Sequence, residues 1–361
     1  MLEGIRIVEI EGLGPGPFAA MMLADLGAEV ICVQRPGAAP LTGASETSLL
    51  DRGKKTIALD LKSDTDRVTL QALIRRADAL IEGFRPGVME RLGLGPVDCH
   101  GWNPRLVYGR MTGWGQDGPR ARDAGHDLNY IALSGALWYA SPPGQPPITP
   151  PTLVGDIGGG ALYLVSGILA ALINAGRSGR GCVVDAAIVD GSAHMMALIM
   201  LMQAGGRFQT RRGASMLDGP HWSRSYRCAD GGFVSVQCLE PQFYAAFLSL
   251  LSLSDDPVFA RQNDPARWPE ATERLAALFA SQPRDHWAAL FAGSDACVAP
   301  VLSPAEAATD PHLAARGTWT KAGGALQARP APRFDGVARD PGPAPARDEH
   351  RTEILTMLGL A

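Results

Sequence analysis

Cysteine is scarce and unpatterned in this sequence. Six are spread over 361 residues, at Cys32, Cys99, Cys182, Cys228, Cys238 and Cys297, with no two-residue-spaced pair and no metal-ligand spacing to the seven histidines. Neither a disulfide framework nor a metal site is indicated, and free thiols in a cytoplasmic protein are the simplest reading. Charge of one sign is also lacking. The formal net charge is −4 and no run of Lys and Arg occurs, which argues against a nucleic-acid partner. The most apolar stretches are interrupted by Gly, Asn, Asp or His, so no membrane span or membrane partner is expected. Nothing repeats at a solenoid period. The first residues, Gly4-Ile5-Arg6-Ile7-Val8-Glu9-Ile10, read as a strand rather than a signal peptide.

What is present suits a globular enzyme: 46% apolar and 19% charged residues, in a chain longer than one core usually serves. Two domains, or one elaborated domain, are expected. Ile5 to Ile10 alternates as a strand should. Gly12-Leu13-Gly14-Pro15-Gly16-Pro17 follows as a glycine turn, then a helix from Phe18 to Leu26 and a second strand, Glu29 to Val33. That is the opening of a nucleotide-binding α/β fold, although Pro17 stands where a dinucleotide fingerprint wants glycine. The second strand ends in Gln34-Arg35-Pro36 rather than in an acid. Arg35 fits a ribose phosphate on the ligand, as in NADP or coenzyme A; it also fits a solvated surface arginine.

Further strands are predicted at Thr56–Asp60, Ala79–Glu82 and Leu106–Met111, with a helix capped by Ser63 running to Arg76. Arg85 stands just past the carboxyl end of a strand, the edge where ligands bind in open α/β sheets. Arg52, Lys54 and Lys55 precede their strand and join that edge only if their loop folds back. Together these five cations point to a polyanionic, nucleotide-like ligand.

A Gly-rich loop, Met111 to Pro119, leads to Ala124-Gly125-His126-Asp127-Leu128-Asn129-Tyr130, where an apolar run with helical spacing begins. His126 and Asp127 are therefore expected at a helix N-terminus, among free N–H donors. An imidazole, a carboxylate and such donors can move a proton and hold an oxyanion; equally, Asp127 can be a simple cap. Gly155-Asp156-Ile157-Gly158 is a second loop-to-helix junction, preceded by the proline-rich 142–151. Residues 161–175 read as a buried helix, apolar nearly all round. Met195, Met196, Met200 and Met202, four of eleven methionines, fit an adaptable acyl-chain surface or a core or dimer helix. The resulting division is 1–190 as a large domain, 191–224 as linker helix and loop, and 225–310 as a small α+β domain. Residues 311–361 read as an extended return linker and a C-terminal helix docking on the large domain.

The stretch Gly125 to Tyr130 resembles that of the α-methylacyl-CoA racemases, within the family III CoA-transferase fold. So do Gly113-Trp114-Gly115-Gln116, Val154-Gly155-Asp156, Met216-Leu217-Asp218-Gly219, Glu240-Pro241-Gln242-Phe243-Tyr244 and Asp295 to Leu302, in the family's order. The resemblance implies a Rossmann-like large domain and a small α+β domain in an interlocked homodimer. It implies an acyl-CoA thioester substrate, its CoA phosphates near Arg35, Arg52, Lys54, Lys55 and Arg85, with no cofactor and no metal. His126 and Asp156 would be the two catalytic bases of an α-carbon racemisation through an enolate. Glu240 of the partner subunit would orient His126, Tyr130 would support Asp156, and the Asp127 N–H would donate to the thioester oxygen.

Three departures bear on the substrate. Pro220 to Tyr226 differs from the family's usual run, in a loop placed by analogy near the acyl group; Thr152 and Asp51 replace usual asparagines. The alternative within the fold is a CoA transferase with Asp156 as nucleophile. An NADP oxidoreductase is what the first strands alone predict, and a non-catalytic CoA-thioester sensor would keep the pocket without turnover.

Overall fold

A computed structural model of the chain describes residues 1–37, 47–206 and 208–360. Six parallel strands form the main sheet: β1 (Arg6–Ile10), β2 (Glu29–Gln34), β3 (Lys55–Ala58), β4 (Ala79–Glu82), β5 (Val107–Thr112) and β6 (Val183–Ala187). Their order is β3-β2-β1-β4-β5-β6, with Ile7 paired to both Val30 and Ala79. The order reverses between β1 and β4, which opens a crevice beyond their carboxyl ends.

Alternation along each strand assigns side chains to two apolar layers. Ile7, Val30, Ala79, Ile81 and Val107 pack toward α1 (Pro15–Asp25) and the later helix over 162–178. Val8, Ile31, Leu80 and Tyr108 pack toward α2 (Asp64–Ile74) and the chain's last helix. Both faces being covered explains why the strands read as nearly continuous apolar runs. Two short helices, α3 (Val88–Arg91) and α4 (Pro96–Trp102), lead into β5.

α1 begins at Pro15 with Gly14 as its cap, three residues before the expected start at Phe18. Proline suits the first helical turn, where an N–H would have no partner, so the glycine turn passes directly into helix. After α5 (Asp127–Ser134), a wide π-type segment, Leu153–Ala161, runs into α6 (Leu162–Ser178) and is crossed by α7 (Ile188–Met195). The expected all-round burial of 161–175 is corrected. Leu164, Val165, Ile168, Ala171 and Ala175 face the sheet, while Leu162 and Ile173 are exposed. By length and composition the run Leu153–Ser178 could cross a membrane; its inner stripe is held by the sheet like that of a core helix.

Two compact units emerge, one of Met1–Gly135, Pro150–Met195 and Ala308–Ala361, the other of Ala136–Thr149 and Met196–Ala307. The methionine-rich run is two helices, α7 and α8 (Ala197–Ala204), divided at Met196. The second unit holds an antiparallel sheet of β7 (Ser223–Arg227), β8 (Phe233–Gln237) and β9 (Val298–Pro300). α9 (Pro241–Leu250), α10 (Trp268–Phe279) and α11 (Arg284–Phe291) pack with it around Trp222, Phe247, Phe259 and Phe279. α12 (Pro304–Ala307) closes that unit and α13 (Pro311–Arg316) opens the return. The return is not wholly extended: β10 (Trp319–Ala322) and β11 (Ala325–Ala328) form a hairpin turning on Gly323-Gly324. The last helix, α14 (Arg351–Leu358), buries Ile354 and Leu358 in the layer that holds Leu70 and Leu73 of α2.

Candidate active site

The crevice at the strand-order reversal is a cleft of about 410 Å³. Its walls are the β1–α1 loop and first turn of α1 from Gly12 to Pro17, the β4 end from Ile81 to Pro86, and the β5 end from Met111 to Trp114. Gly125, His126, Tyr130 and Asp156 close it.

His126 caps α5 and is exposed to the cleft; its N–H donates to the side-chain oxygen of Asn129 at 3.0 Å, which holds the first turn. Asp127 is the first helical residue, so its amide belongs to the group of donors that a helix leaves without internal partners. The Asp127 side chain turns inward instead. It is 5% exposed, and Oδ1 accepts from the N–H groups of Gly155 at 3.0 Å and Asp156 at 2.9 Å.

Asp156 lies in the first turn of the π-type segment, half-buried, with Gly14 of the α1 N-terminus close enough that a Cβ there would stand 3.8 Å from Asp156 Oδ2. Burial pushes its carboxyl up to about 6; the neighbouring Asp127 charge adds to the rise and His126 opposes it. Tyr130 packs its ring edge-on against Trp114 at 4.7 Å and donates its hydroxyl to the Gly125 carbonyl, pinning the loop that presents His126. Burial raises its phenol, the Asp156 charge raises it further, and Arg85 works the other way. His126, Tyr130, Asp156 and Arg85 thus meet around one cleft, with the Asp127 side chain buried against the amide of Asp156.

The other cations divide. Arg35 is exposed at the end of β2 and lines a neighbouring cavity of about 620 Å³ with Lys62. That cavity shares Ile10, Gly12, Leu13 and Phe84 with the cleft. Lys62 was missed in the sequence, although its place just past β3 is the signal that singled out Arg85. Carboxylates within the fold engage Arg52, Lys54 and Lys55, the three cations that precede or open β3. Arg52 pairs with Asp25 at 2.5 Å and donates to Gln327 and to the Ala328 carbonyl, both at 2.9 Å. Lys54 is buried, 2.6 Å from Glu9 and 3.2 Å from the Pro17 carbonyl. Lys55 bridges Glu29 and Glu353.

Glu240 belongs to the second unit, where it is exposed as the cap of α9. The variant run Pro220 to Tyr226 lies in the same unit, its second half in β7. His221 and Trp222 are fully buried there, His221 against the Tyr244 hydroxyl at 2.7 Å and Trp222 donating to the Gln262 carbonyl at 2.9 Å. Both side chains belong to the core of that unit. Among the described residues, Glu9, Cys32 and Asp51 form the one group whose ligand atoms lie within 4.8 Å of each other. The Lys54 ammonium already sits against Glu9 and Asp51 as their cation.

Comparison with known proteins bears on the chemistry. A family model described as CoA-transferase family III matches residues 2–351. The alpha-methylacyl-CoA racemase of Mus musculus is 41% identical over all of this chain and 94% of its own length; that of Homo sapiens is 40% identical with the same coverage. The acetyl-CoA:oxalate CoA-transferase of Acetobacter aceti is 31% identical over 90% of this chain and 86% of its own. Among solved structures, a CAIB/BAIF family protein from Brucella suis superposes with a TM-score of 0.83 at 26% identity, covering 99% of this chain and 98% of that one.

Proposed function

The chain belongs to CoA-transferase family III, and from that membership and the cleft we propose that it is a racemase inverting the α-carbon of 2-methylacyl-CoA thioesters. The observation that carries the reading is the presence of an imidazole, His126, and a carboxylate held near neutrality, Asp156, on one cleft. A proton α to a thioester is weakly acidic. Its removal needs a base near its working pH together with charge stabilisation at the carbonyl oxygen. One group takes the proton, the Asp127 amide at the start of α5 donates to the enolate oxygen, and the other group returns a proton to the opposite face. The roles exchange with the enantiomer bound. Nothing in this chemistry calls for a cofactor or a metal.

The CoA nucleotide is assigned to the cavity of Arg35 and Lys62, with Arg85 between it and the reacting carbon. Two cations just past strand ends, on a cavity that shares Ile10, Gly12, Leu13 and Phe84 with the cleft, support that path. Glu240 of the partner subunit orients His126 in an interlocked homodimer. The exposed apolar residues of α6 and α8 support an oligomer.

The deciding experiment follows the α-proton of each enantiomer of a 2-methylacyl-CoA by NMR in deuterated water. Exchange from both, converging on one mixture, is expected. Transfer of CoA to an added carboxylate without exchange would replace this reading with the transferase, in which Asp156 attacks the acyl carbon.

A further inference from the structure

The first amides of a helix have no partners inside it, and those of Leu153–Ala161 meet a side chain from far back in the sequence. Asp127 Oδ1 takes the N–H of Gly155, 28 positions on, and that of Asp156. A Cβ on Gly155 would stand 2.4 Å from that oxygen, so the contact requires glycine at 155. Asp127 Oδ2 is buried with no hydrogen-bond partner among the described residues. Leaving half of a buried carboxylate unpaired is costly, and an uncharged acceptor would seat the two amides without that cost.

We propose that the Asp127 carboxylate is a positioning group joining the two proton-transferring residues: it holds Asp156 by the backbone, while its own backbone carries His126. The proposal rests on the racemase reading. It gives Asp127 a second role, separate from its amide, and a reason to be an aspartate. Its negative charge stands beside Asp156 and strengthens the hold of that carboxyl on its proton. The other groups around Asp156 are His126 and Tyr130 on α5, the N-terminus of α1 at Gly14 and, on the same cleft, Arg85 after β4. The crossing helix α7 carries Asp190 and His194, neither of which contributes to the shift.

Two substitutions separate seat from charge. Asp127→Asn keeps an acceptor for both amides and removes the charge; Asp127→Ala removes both. For Asp127→Ala, kcat for α-proton exchange is expected to fall on the order of 100-fold, the usual consequence of misplacing a reacting group by about 1 Å. KM should stay within about twofold. Asp127→Asn should retain on the order of a tenth of kcat. For the enantiomer deprotonated by Asp156, the acid limb of its kcat/KM profile should move to lower pH. A 13C titration of the Asp156 carboxyl, identified by its loss in Asp156→Asn, reads the same charge without turnover, and its midpoint should fall in Asp127→Asn. An unchanged midpoint in Asp127→Asn, or wild-type kcat in Asp127→Ala, overturns the proposal. If the wild-type protein exchanges no α-proton while the midpoint still falls, the racemase reading fails and the clasp stands. Should the alanine variant not fold, the asparagine variant and the titration decide.

Discussion

Asp156 is stabilising only when protonated. Its folded pKa of about 6 lies above the ordinary value of 3.8. Between the two, the folded chain holds a proton that the unfolded chain releases. The favourable contribution is therefore complete below the unfolded value and is lost as pH rises through about 6. Asp156→Asn should raise stability at alkaline pH by roughly 1 kcal/mol, a full shift of that size being discounted for the half-exposed site. The gain should vanish in acid as it abolishes exchange; urea midpoints at the two extremes check this, and equal gains at both would contradict it. Gly113 shows a second constraint on a single residue. A Cβ there would lie 1.9 Å from Cζ of Tyr130, whose ring is backed by Trp114. Gly113→Ala should destabilise by about 2 kcal/mol, as overpacking does, and should slow exchange by displacing the loop at His126. Thermal melts and the exchange rate test the two effects.

At the scale of elements, charge pairs hold the rim in place. Lys54 ties Glu9 of β1 to the Pro17 carbonyl in the first turn of α1, the end of the helix that abuts Asp156. Arg52 ties α1 to the β10–β11 hairpin through Asp25, Gln327 and Ala328. Arg52→Ala leaves Asp25 buried without its partner, and should cost about 3–5 kcal/mol in denaturant melts. The KM of the fraction that folds should be unchanged. Arg35→Ala is expected to behave in the opposite way, with no loss of stability and a roughly tenfold rise in KM, the worth of one charge-assisted hydrogen bond at about 1.4 kcal/mol. Measuring both quantities for both variants separates a structural arginine from a ligand-binding one.

At the scale of the whole molecule, α8 has no buried residue, and Leu198 and Leu201 are 66% and 68% exposed. Patches of that kind mark interaction surfaces. In the proposed dimer, Leu201→Asp should shift sedimentation to a monomer and abolish exchange. Mixing two inactive variants, His126→Ala and Glu240→Gln, should restore activity, because one of the two sites then combines intact His126 with intact Glu240 of the partner subunit. Failure of the mixture to recover, with heterodimers demonstrated, would mean that Glu240 does not serve the partner's site.

Much of this protein follows from local pattern. The β-branched alternation of Ile5 to Ile10, the glycine turn after it and the next strand define a nucleotide-type fold, because periodicity and turn chemistry are properties of neighbouring residues. The junctions at His126 and Asp156 were legible for the same reason: a cap residue, a loop rich in glycine and an apolar run lie side by side in the chain. The hairpin on Gly323-Gly324 was legible too, and was lost among the prolines around it. Tertiary structure alone decided which cations are paired within the fold. Whether Arg52, Lys54 and Lys55 meet a phosphate or a carboxylate depends on Asp25, Glu9, Glu29 and Glu353, and two of those partners lie in other strands. It also decided that His221 and Trp222 are core, and that Asp127 seats Asp156. Burial and long-range hydrogen bonds set the energy of a charged or polar side chain, and neither is a function of the residues beside it in sequence.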